Sequence, residues 1–159
     1  VSMQPIRSSS GRFTIVFNGE IYNHLILRKK LPKDKYKFKS NGDTESLIAF
    51  IDYFGIDKAI SLLDGMFAIA VFDHKSKILS LIRDFAGIKP LHYGFKDKNI
   101  VFASQFDQIV KHPLFRARAI NPDILKLFLK QQFIPSPFGV KVLGASMSKL
   151  AVTSTSKLA

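Results

Sequence analysis

No cysteine occurs anywhere in the 159 residues. Disulfides, thiolate metal sites and catalysis by a thiol of this chain are thereby excluded. Long apolar runs are lacking as well: none reaches the ~18 residues that a transmembrane helix needs. Residues 1–12 are polar, so they read as no secretory signal. The lack of a signal and of disulfides together argues for the cytoplasm. Acid is scarce, with 12 Asp and Glu against 24 Lys and Arg, for a formal net charge of +12. Apolar residues are plentiful at 47%, Phe alone occurring 15 times, which is ample for one packed core and too apolar for a disordered chain. The length fits one domain.

An excess of base raises the question of a polyanionic partner. The densest stretch, Arg28 to Lys39, holds seven basic residues and a single acid, Asp34. Lysine dominates it, and Tyr36 and Phe38 alternate with lysines as on a strand with one face buried. That pattern reads as a solvated helix end and loop rather than a phosphate-binding patch. No zinc-finger ligand set and no RNA-binding aromatic motif accompanies it, so nucleic acid is not the expected partner. His24, His74, His92 and His112 are scattered without ligand spacing, and no metal site is expected.

Along the chain, Phe13 to Phe17 reads as a buried strand ended by Asn18-Gly19. A helix is expected from Tyr22 to Leu31, stopping before Pro32, and a short strand over Lys35 to Lys39. Leu47, Ile48, Ile51 and Phe54 recur at helical spacing after Asp43, and Gly55 closes that helix. A second helix is expected from Asp57 to Leu63. Met66 to Asp73 is a continuous apolar run, short enough for a strand buried on both faces, and Lys77 to Arg83 makes a hairpin with it. Pro90 to Phe95 and Asn99 to Ala103 read as another strand pair. Helices follow over Gln105 to Lys111 and Asn121 to Phe133, the latter with Asn as N-cap and Pro at its first position. Such segregated blocks argue for an α+β fold with antiparallel sheets. Residues 143–159 differ in kind: small, rich in Ser, Thr and Lys, and repeating Ser-Lys-Leu. They read as a disordered tail, or as a cloning or reading-frame scar.

Four segments stand out in order: Asn18 to Asn23 (NGEIYN), Gly42 to Glu45 (GDTE), Asp64 to Ala68 (DGMFA) and Arg83 to Leu91 (RDFAGIKPL). Together they resemble the class II glutamine amidotransferase domain of glutamine-dependent asparagine synthetases, over residues 1–142. The resemblance implies an N-terminal-nucleophile hydrolase-like αββα sandwich of antiparallel sheets. It also implies an N-terminal cysteine that attacks the side-chain amide of glutamine. The ammonia released would pass to a second domain that uses ATP and Mg to convert aspartate to asparagine.

Asn-Gly is also the favoured hairpin turn, but Glu20 to His24 does not alternate like a returning strand. An Asn side-chain amide and a Gly N–H can instead converge on one oxygen, which is what an oxyanion hole requires. The match to the family makes Asn18 and Gly19 those donors. Asp43 sits where a helix N-cap is wanted; by the resemblance it binds the α-ammonium of glutamine, one oxygen held by backbone N–H groups and the other free for the cation. Glu20 is either a surface acid or a second ligand of that ammonium, and ligand binding is favoured for both. His24 is given no role. The stretch Arg83 to Leu91 is expected to be an ordered architectural loop.

In the family the nucleophile lies several dozen residues before NGEIYN, whereas 17 residues precede Asn18 here. The expectation is therefore a partial glutaminase domain, lacking its first strands and its nucleophile, inactive by itself and without its C-terminal synthetase domain. Exposed sheet edges would then favour homo-oligomers. Two other readings stay open: a non-catalytic binding or regulatory module using the remnant pocket or sheet edge, and a basic nucleic-acid-binding protein.

Overall fold

The computed structural model describes residues 3–96, 98–115, 122–132 and 148–151. Contacts divide the chain into two units: the first runs to Lys89 and also takes in Ser148–Ala151, and the second starts at Pro90. The first is built on an antiparallel sheet. Strand β1 (Ile6–Arg7) pairs with β2 (Phe13–Ile21). Helices α1 (His24–Lys29), α2 (Asp43–Phe54) and α3 (Ile56–Ile60) follow, then the hairpin of β3 (Gly65–Asp73) and β4 (Ile78–Arg83). β3 lies between β2 and β4.

Period-two alternation sends Phe13, Ile15, Phe17 and Ile21 to one face of β2. The register places Phe17 opposite Ile69, and Ile69 opposite Ile82, so these share that face. Leu47, Phe50 and Ile51 of α2 and Leu27 of α1 join the same buried cluster. α2 is thus held by its apolar stripe, as its spacing predicts, and ends at Gly55, which takes φ 79°. A fully buried side chain of this size contributes roughly 1.5–3 kcal/mol, so the packing of these helices on one sheet face is a large stabilising term for the unit. The β3–β4 hairpin is fastened at its turn by Asp73, whose carboxylate takes Arg12 Nη2 at 2.8 Å and the amide of Lys75 at 2.9 Å. Gln4 fastens the edge of β2: its side-chain amide accepts from Phe17 N–H and donates to Phe17 O, imitating a neighbouring strand.

The second unit holds the hairpin of β5 (His92–Lys96) and β6 (Asn99–Ala103), with α4 (Phe106–Lys111) and α5 (Pro122–Gln131). Val101, Ile109 and Phe115 form its own small core. Asn121, the expected N-cap of α5, lies outside the described residues.

Three expectations change. β2 does not end at Asn18-Gly19; it runs through both to Ile21. The reason is Gly19, at φ 151°, where an added Cβ would overlap the Met66 carbonyl oxygen. Gly65, at φ 157°, meets Glu20 O in the same way. A glycine on each strand, Gly19 opposite Phe67 and Gly65 opposite Ile21, lets the β2 and β3 backbones close up, so Asn-Gly marks a close approach and not a turn. Lys35 to Lys39 forms no strand, although Tyr36 is buried and Lys37 exposed as expected; the alternation is there, but the segment belongs to neither described sheet. Finally, Ser148–Ala151, expected to be disordered, forms a strand, β7, antiparallel to β4. An edge strand presents unpaired N–H and C=O groups that any extended segment can satisfy. The rest of 143–159 lies outside the described residues.

Candidate active site

The end of β2 opens into a cleft of about 360 Å³ lined by Gly19, Glu20, Ile21, Tyr22, His24 and Asp43. Three of the four expected site residues, Gly19, Glu20 and Asp43, thus share one hollow although 23 positions separate Glu20 from Asp43 in the chain. Asn18 stands two residues before Glu20 on the same exposed face of β2, just outside the lining. A larger hollow, about 480 Å³, lies at the other end of β2 among Phe13, Phe54, Ile56 and Ile78; it holds none of the expected residues.

Asp43 is the first residue of α2, and Gly42 is the N-cap in its place. No side chain caps this helix, because the Asp43 carboxylate turns to β2 instead. Its Oδ2 accepts the Ile21 N–H at 3.0 Å, and its Oδ1 accepts the Thr44 hydroxyl at 3.3 Å. That bond ties the start of α2 to the end of β2 and holds one carboxylate oxygen in the cleft wall.

The turn that carries Asp43 is itself held on both sides. Glu45 accepts the amides of Lys39 and Ser40 and the Ser40 hydroxyl, each at 2.8 Å. Burial pushes the Glu45 carboxyl up, and these donors more than reverse it, so the group lies below the usual carboxylate range. On the other side Arg28 donates to Ser40 O and Gly42 O, both at 2.7 Å, and to Ser46 Oγ at 2.6 Å. Its guanidinium lies 4.1 Å from the centre of the Phe38 ring. Ser46 Oγ also donates to Gly42 O at 3.1 Å and lies 3.3 Å from His24 Nδ1. A serine hydroxyl has one proton; when Gly42 O takes it, His24 must carry its own proton on Nδ1.

The floor behind Gly19 is braced by Asp84. Its buried carboxylate accepts the amides of Phe67, Ile88 and Lys89 at 2.9–3.1 Å. Burial raises this carboxyl, and the amide bonds outweigh it, leaving it below its ordinary value. Phe67 is the residue paired with Gly19, so Asp84 sets the height of β3 under the cleft. Arg83 donates to Lys89 O at 2.6 Å and also to Gly87 O, closing the loop on itself. The loop is ordered and architectural, as expected. Asn23 does the same for the other approach, donating to Leu62 O at 2.8 Å and accepting from Asp64 N–H at 3.1 Å.

Sequence reasoning missed Arg28, Ser46 and Glu45 as supports of the site, and Tyr22 and His24 as its lining. Arg28 was hidden in a charge run. Its one local signal was position: four residues after His24, hence on the same helical face. Among the described residues no group of three or more His, Asp or Glu side chains could hold a metal ion, and no helix is long and apolar enough to cross a membrane.

A glutamine amidotransferase domain model matches residues 1–158, and the chain belongs to that family. The relatives it matches are named as asparagine synthetases of the glutamine-hydrolysing kind. Number 1 of Bacillus subtilis is 34% identical over 137 residues, 84% of this chain and 21% of the relative. One from Arabidopsis thaliana is 37% identical over 103 residues, 64% of this chain and 17% of the relative. The chain therefore spans about a fifth of the length of these relatives. Among solved structures, the glutamine phosphoribosylpyrophosphate amidotransferase of Bacillus subtilis superposes with a TM-score of 0.56 at 24% identity, over 67% of this chain and 26% of that one. The α+β fold of antiparallel sheets is thus of the N-terminal-nucleophile hydrolase kind.

Proposed function

We propose that the cleft is the glutamine site of an asparagine synthetase glutaminase domain. Glu20 and Asp43 take the α-ammonium of L-glutamine, while the Asn18 side-chain amide and the Gly19 N–H receive the oxygen of the amide under attack. The observation that carries this reading is the convergence of two carboxylates, Glu20 and Asp43, on a hollow edged by Gly19, in a chain of this family. Two negative charges facing one small cleft favour a cation there, and close backbone approach at Gly19 suits a carbonyl oxygen. In the whole enzyme the ammonia would go to a synthetase domain that uses ATP and Mg to amidate aspartate, in the cytoplasm. No residue of this chain is assigned to those cofactors. The thiol that would attack between Gly19 and Asp43 is not among these residues, so the chain binds glutamine without turning it over.

Calorimetric titration with L-glutamine, paired with an ammonia-release assay, tests this. Saturable binding that Asp43→Asn weakens about tenfold or more, with no ammonia, is expected. A titration without binding would remove the ligand assignment, and release of ammonia would overturn the claim that the chain lacks its nucleophile.

A further inference from the structure

We infer that Arg28 is the positioning residue of the ammonium-binding carboxylate. The inference rests on the reading of Asp43 as that carboxylate. Asp43 accepts a hydrogen bond from Ile21, so both ends of that bond must be placed: the end of β2 and the turn before α2. α1 begins three residues after Ile21, and Arg28 reaches from it to the turn. Two of its nitrogens hold the carbonyls of Ser40 and Gly42, the second of them adjoining Asp43. Its third, Nε, holds Ser46, one helical turn further into α2.

Three acceptors in different directions are thus met by one planar fork, and Phe38 stacked on its face fixes the plane. Arg28 holds Ser40 O before the helix, Gly42 O at its N-cap and Ser46 Oγ in its first turn, where a lysine, a single point charge, could not hold all three groups. Ser46 is completely buried, so its Oγ has no bulk solvent to turn to if the guanidinium leaves. Arg28 does not line the cleft. Its effect on a ligand passes through residues it places, Asp43 at the turn and His24 by way of Ser46, and this separates it from a residue that touches substrate.

A pair of ligands reads that difference. L-Glutamine carries the α-ammonium; glutaramic acid has the same amide and carboxylate but no amino group. Calorimetry on the 159-residue chain should show Arg28→Ala weakening L-glutamine about tenfold or more while changing glutaramic acid by less than about twofold. Arg28→Lys should recover only part of the loss, and the milder Ser46→Ala should give the same pattern at smaller size. A second readout needs no ligand. The Ile21 amide bonds to Asp43, so its hydrogen exchange should quicken about tenfold or more in both Arg28→Ala and Asp43→Ala, with the Ile69 and Ile82 amides of the β3–β4 ladder unchanged. Equal weakening of both ligands, or an Ile21 amide indifferent to Arg28→Ala, would overturn the assignment. If the unmodified chain binds neither ligand, the glutamine reading fails by itself and the Ile21 exchange alone decides the role of Arg28.

Discussion

Asp73 shows how much a single well-placed acid can do in a chain with so few. Hydrogen bonding to Arg12 holds its carboxyl down at about 2, against the burial that opposes ionisation. The folded state therefore prefers the ionised form more than the unfolded chain does. The stability this adds is fully present above about pH 4 and is lost as the pH falls through about 2. A shift of this size would correspond to roughly 2.5 kcal/mol, but Arg12 is half exposed to solvent, and screening reduces the expected contribution to about 1 kcal/mol. Urea unfolding of the chain and of Asp73→Asn should thus differ by that amount at pH 6 and converge towards pH 2. Curves that stay parallel to the acid end would remove Asp73 from the acid response. Nothing in the sequence announced this pair: Arg12 and Asp73 meet only because β2 and β3 are neighbours.

Among the elements, those with an internal signal were legible. The unbroken apolar run of β3 and the three-and-four spacing of α2 state their structure locally, and the structure agrees to within a residue or two. What failed to show was whatever depends on a neighbour. β2 continues past Asn18-Gly19 because the β3 backbone comes close against Gly19, and Lys35 to Lys39 alternates correctly yet joins neither described sheet. The site divides along the same line: motif residues Gly19, Glu20 and Asp43 could be named in advance, whereas Arg28 acts on carbonyls, which no side-chain pattern records. Asn23 belongs to this second class. It joins the start of α1 to the segment entering β3 through two bonds to Leu62 and Asp64. Asn23→Ala should cost about 1–2 kcal/mol in denaturant unfolding. Limited proteolysis should at the same time cut faster between Ser61 and Gly65; an unchanged cleavage pattern would count against the clasp.

For the molecule as a whole, edges and charge pull in opposite directions. Among the described residues, β7 covers four of the six residues of β4, and β1 pairs two residues of β2. Open edges favour pairing with a second copy, and the +12 charge opposes it by repulsion. Association is therefore expected to rise with ionic strength as that repulsion is screened. Light scattering across a salt series should show the mass growing from low to high salt; a monodisperse monomer throughout would reject edge pairing.

The glycines at 19 and 65 bear on how such a sheet can change over generations. Most packed pairs tolerate drift, because a larger residue on one side can be accommodated by a smaller one opposite. Here an added Cβ would meet backbone, the Met66 carbonyl at Gly19 and the Glu20 carbonyl at Gly65, which no smaller side chain opposite can move away. No change of side chain opposite makes room at either position while β2 and β3 stay paired, so this stretch of the sheet is closed to compensation even as its surroundings diverge.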